Sequence, residues 1–95
     1  MKKQAAILIQ SDGDSRGVVP ANGGDFTLDE LQGFVEGLIE IVPLTKNVIM
    51  VVNEEGKGVL PINVPATIIA KAQGTIFPFD YIAGNALMCP SDMVK

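Results

Sequence analysis

The residues of this chain best suited to chemistry stand in two polar stretches that follow one another closely. The first holds Asn53, Glu54, Glu55 and Lys57, and the second holds Asn63 and Thr67. Side-chain amides, carboxylates and one ammonium can orient a polar ligand, but they supply no nucleophile with a base beside it. There is no histidine, which removes a His-based triad and a zinc site within one chain. The single cysteine, Cys89, lies in an apolar run, allows no internal disulfide and reads as inert core. Asp29 and Glu30 are adjacent acids, yet two acids in a first helical turn normally complement the helix dipole. The run Asp12-Gly13-Asp14-Ser15-Arg16-Gly17 echoes the start of a calcium loop. Arg16 and Gly23 occupy positions where that loop needs ligands, so an ordinary hairpin turn is the better reading. No enzymatic activity, no metal and no cofactor is expected.

The stretch from Asn53 to Lys57 follows a strand-like run, and Asn63 stands where a helix would begin. A turn and a helix start so close in sequence can border one site, with main-chain amides of the helix N-terminus aimed at a ligand. Such a site suits a small anion without net positive charge. Charge excludes larger nucleic acid partners: 11 acidic against 7 basic residues give a net charge of −4, with the basic residues scattered after Lys2-Lys3. Duplex DNA or RNA would need a basic face that neutralises several phosphates. No apolar run reaches the length of a membrane span. The first apolar run, 5–9, is too short for a signal peptide, so a cytoplasmic location is expected.

The elements that must position these residues are legible from periodicity. Two aliphatic runs, 38–44 and 48–52, separated by Thr45-Lys46-Asn47, predict a β-hairpin that should lie at the centre of a sheet. Glu40 is the one charge in its first arm, and alternation sends it to the face opposite Ile39 and Ile41, exposed or lining a pocket. Before the hairpin, Thr27-Leu28-Asp29-Glu30 is a capping box with Phe26 and Leu31 placed as a hydrophobic staple. A helix therefore starts at Thr27, presents Leu28, Leu31, Phe34, Val35 and Leu38 on one face, and is expected to end with Gly37 in the left-handed conformation. Upstream, 5–9 reads as a buried strand, and the Asp12-Gly13 turn returns 17–19 against it. Downstream, 59–62 should return to the sheet with Pro61 at an edge. Asn63 caps a second helix, with Pro65 tolerated in its first turn and Gly74 closing it. An irregular stretch around 77–81 precedes a last strand, 86–89.

The reading is a single compact α+β domain over 1–95, a small mixed sheet of about five strands with two helices in the order β-β-α-β-β-α-β. At 95 residues there is one core, burying roughly 60 to 65% of the unfolded chain's surface. With 47% hydrophobic residues and only 19% charged, a monomer would leave much aliphatic surface exposed, so a homo-oligomer is expected.

Several of these residues together resemble a known family. A TLDELQ helix, an LIEIV arm, VVNEEGK, the helix start Leu60-Pro61-Ile62-Asn63-Val64-Pro65-Ala66-Thr67, and Ile82-Ala83-Gly84-Asn85-Ala86-Leu87 resemble small uncharacterised domains of bacteriophages and bacterial mobile elements. The resemblance covers 26–88, with VVNEEGK and Asn63-x-x-Ala66-Thr67 its most specific parts. It departs at Glu36-Gly37, where such domains often carry two glycines. It implies a viral or mobile-element origin, hence a host cytoplasm, and no assigned enzymatic activity. Its polar positions give the candidate ligand-binding set: Asn53, Glu54, Glu55, Lys57, Asn63, Thr67 and Asn85. The expected function is a non-enzymatic binder of a small anionic, nucleotide-like ligand that sequesters a host-defence signal. The alternative is a protein–protein interaction module that regulates a host or phage protein. Phe77, Phe79 and Tyr81 could supply a stacking platform.

Overall fold

The computed structural model describes residues 6–94 and has the expected element order. Strands β1 (Ala6–Ile9) and β2 (Ser15–Val18) form a hairpin, followed by α1 (Leu28–Val35). A second hairpin of β3 (Ile39–Pro43) and β4 (Val48–Asn53) leads to α2 (Val64–Ala72), β5 (Ala86–Pro90) and a 3₁₀ turn over Ser91–Met93. Ala5, the expected start of the first strand, lies outside the described residues. The Asp12-Gly13 turn is an Asx turn in which the Asp12 carboxylate accepts the Asp14 amide at 2.9 Å.

The sheet order is β2-β1-β5-β4-β3, and every pairing is antiparallel where a mixed sheet was expected. The centre is β5 rather than the second hairpin. The reason is composition. Ala86, Leu87 and Cys89 are buried, so β5 can be covered on both faces, whereas β3 carries the exposed Glu40 and sits at the edge.

The two helices cover opposite faces of the sheet, and strand alternation sorts the core between them. Leu31 and Val35 of α1 pack with Leu8, Val51, Leu87 and Cys89. Ala66 and Ala70 of α2, both fully buried, pack with Ile9, Met50, Val52 and Ala86 on the other side.

Both helix starts follow the sequence code. The Thr27 hydroxyl accepts the Glu30 amide at 3.1 Å, and the Glu30 carboxylate accepts the Thr27 amide at 2.7 Å. Phe26 and Leu31 belong to the same buried cluster. Asn63 is the N-cap of α2, its side-chain oxygen accepting the Ala66 amide at 3.1 Å.

The end of α1 differs from expectation. The left-handed residue is Glu36 (φ 66°, ψ 39°), because the amides of Glu36 and Gly37 both close onto the Gln32 carbonyl, at 2.7 and 3.1 Å. Gly37 is required for another reason: a Cβ there would stand 2.7 Å from Asn53 Nδ2. The segment 59–62 also differs, forming no strand. Val59 and Leu60 turn back onto the Gly56 carbonyl, and only Ile62 bridges, to Ala83.

Candidate functional site

Four of the seven candidate residues hold the fold together with their polar atoms. Asn63 is fully buried; besides capping α2 it donates from Nδ2 to the carbonyls of Ile9 at 2.9 Å and Gly84 at 2.8 Å. It thus ties the end of β1, the approach to β5 and the start of α2 to one amide. Thr67 Oγ1 accepts the Ile82 amide at 2.9 Å. Asn53 and Asn85 complete the C-terminus of α1, whose last carbonyls have no partner within the helix. Asn53 Nδ2 donates to Val35 O at 3.0 Å, and Asn85 Nδ2 to Phe34 O at 3.2 Å. The side-chain oxygen of each is used as well, by the amides of Glu55 at 2.8 Å and Ser11 at 3.2 Å.

Glu54, Glu55 and Lys57 remain exposed on the turn after β4. Lys57 Nζ pairs with the Asp80 carboxylate and lies 5.7 Å from the centre of the Tyr81 ring. The Lys57 hydrogen bond, and next the Tyr81 amide that donates to the same oxygen at 2.8 Å, hold the Asp80 carboxyl below its usual range. The turn is thereby fastened to the segment 75–81 rather than to the start of α2, so the two polar stretches do not converge on one open site.

An open groove does form beside them. A concavity of about 820 Å³ runs between β3 and the chain that follows α2, with Glu40, Ile41, Val42 and Pro43 on one side and Lys71, Ile76, Phe77, Pro78 and Asp80 among the residues of the other. A smaller cavity of about 110 Å³ continues it, sharing Glu40, Val42, Ile76 and Asp80 and reaching Asn53, Glu54, Lys57 and Tyr81. Val42 belongs to the core cluster on the α2 side, so alternation places Glu40 on that same face, where it is exposed and lines the groove. Phe77, one of its lining residues, stacks on Phe79 with centroids 5.4 Å apart and planes 3° from parallel, and the two rings remain 67% and 84% exposed.

A family model described as a domain of unknown function, DUF3846, matches residues 2–93. The chain belongs to this family. No curated protein and no solved structure matches the chain. The DUF3846 match spans both hairpins, both helices and every residue that lines the groove.

Cys89 is 2% exposed in the central strand, and burial, with Asp92 adding to it, pushes its thiol up to about 11. A thiol so protonated is a poor nucleophile. The groove residues all lie outside the sequence-derived set, Glu40, Ile76, Phe77 and Asp80 among them. Two signals pointed towards them: a lone carboxylate in an aliphatic strand, and aromatics at 77, 79 and 81 in a segment with no regular structure.

Proposed function

We propose that this domain is a non-enzymatic protein-interaction module whose binding site is the groove along β3. The observation that carries the reading is an open groove with apolar walls and few polar groups, lined in part by Phe77 of an exposed stacked phenylalanine pair. The asparagines and threonine that would have bound a small ligand are occupied in the fold, which removes most of the directional contacts of a dedicated anion site. A phage or mobile-element origin would make the partner a host or phage protein.

A small anionic ligand is the second reading, favoured by Lys57 beside Tyr81 at the smaller cavity. It ranks second because Glu40, Glu54 and Asp80 line that same cavity. Selection of a random-peptide display library on the immobilised domain separates the two. Enriched peptides should shift amide resonances of β3 and 75–81 and lose affinity with Phe77→Ser, an exposed change. Failure to enrich, together with thermal shifts from dinucleotides or ADP-ribose that vanish in Lys57→Ala, would transfer the case to the anion reading.

A further inference from the structure

The hydrogen-bond register of β3 determines what the groove can hold. Glu54 N–H donates to Leu38 O at 2.8 Å and Leu44 N–H to Val48 O at 2.9 Å. In an antiparallel ladder bonded and non-bonded pairs alternate, so Leu38, Glu40, Val42 and Leu44 direct their main-chain groups towards β4. The N–H and C=O groups of Ile39 and Ile41, and the carbonyl of Pro43, therefore point out of the sheet. Among the described residues β3 pairs with β4 alone.

A second copy of this strand fits that edge poorly. One antiparallel register pairs Ile39 with Ile41 of the second copy and places Glu40 directly opposite Glu40, a repulsive like-charge pair. Another centres on Ile41 and pairs Ile39 with Pro43, which has no N–H to donate. A charge and a proline are devices that discourage edge-to-edge self-pairing.

The same features suit a different strand. Glu40 and Val42 face the groove, and the Glu40 carboxylate forms no hydrogen bond or ion pair among the described residues. Asp80 lies on the opposite wall, already paired with Lys57, while Ile76 and Phe77 provide apolar surface.

We infer that the domain binds its partner by strand addition to β3: an extended segment of another protein that sets a basic side chain opposite Glu40 and an apolar one opposite Val42. This rests on the interaction-module reading and specifies its mode. Main-chain bonds to Ile39 and Ile41 supply the attachment, and the alternate side chains entering the groove supply the selection.

The test uses a capped peptide whose strand pattern alternates threonine on one face with valine and lysine on the other, and a control with glutamate in place of lysine. Added to the whole domain, the first should slow amide hydrogen exchange at Ile39 and Ile41. Glu40 and Val42, whose amides are already bonded, should change little. The glutamate peptide should bind about fivefold to tenfold more weakly, and Glu40→Lys should reverse the preference. Unchanged exchange at Ile39 and Ile41 while library-selected peptides still bind elsewhere in the groove would overturn strand addition and leave the module reading standing. Protection of these amides in the domain alone, rising with its concentration, would assign the edge to a second copy and overturn the proposal.

Discussion

Asn63 shows how a residue that reads as a ligand contact can instead be part of the frame. Its amide satisfies the buried carbonyls of Ile9 and Gly84 while its oxygen caps α2. Asn63→Ala would take a donor from both carbonyls and the cap from α2, and is expected to destabilise the domain by about 3 kcal/mol, seen as a lower denaturation midpoint with unchanged slope. A loss under about 0.5 kcal/mol would mean that neighbouring donors take over. Gly37 and Asn53 form a second such unit. The β-carbon of Gly37→Ala would displace the Asn53 amide from Val35 O and cost about 1 to 3 kcal/mol. Once Asn53→Ala has removed that amide, the same glycine change should cost much less. Additive losses in the double variant would sink this account. From sequence, the cap role of Asn63 was legible, because the cap acts within one turn. Its contacts to Ile9 and Gly84 were not, because they join residues 54 and 21 positions away.

At the scale of elements, α1 was the most legible part of the chain, since the capping box and staple are local. Its end was less so, because whether 36 or 37 turns left-handed depends on which carbonyl closes the last turn. A left-handed Glu36 also carries a steric cost that a glycine at that position would not. Thr27→Ala should cost about 1 kcal/mol. The Glu30 half of the box adds a pH dependence. Its carboxylate accepts the amides of Thr27 and Ala21, at 2.7 and 2.9 Å, and these bonds hold it below its ordinary value of 4.5. The charged form is favoured in the fold, so the stabilisation is complete above that ordinary value and is lost as pH falls through the lowered one. The stability gap between the natural chain and Glu30→Ala should be widest at neutral pH and narrow in acid. A gap that does not change with pH would count against the carboxylate's role.

For the whole molecule, local code reached the elements and their order but not the position of β5 at the centre, which depends on strand pairings far apart in sequence. The groove escaped for the same reason: β3 and 75–81 meet only once the sheet is assembled. Surface composition was more transparent. Val64 and Ile68, one turn apart on α2, are 52% and 61% exposed, and neither lines the groove. The domain is expected to self-associate through this face, with Ile68→Lys restoring the monomer; sedimentation at the 10.0 kDa monomer mass across a concentration series would refute it. Cys89 then offers a probe of global stability. It lies in the central strand, paired with Ile49 of β4 and covered by the α1 layer, so no fraying of an edge exposes it. A thiol reagent should react only with molecules that have opened globally, at a rate that rises with denaturant in step with the unfolding equilibrium. Alkali should act in the same direction. The unfolded thiol ionises near its ordinary value of 9.0 and the folded one near 11, so stability is intact below the first and declines as pH rises towards the second. Rapid labelling at neutral pH, unaffected by denaturant, would show that β5 opens independently, and the sheet would then have to be treated as two hairpins joined by a mobile strand.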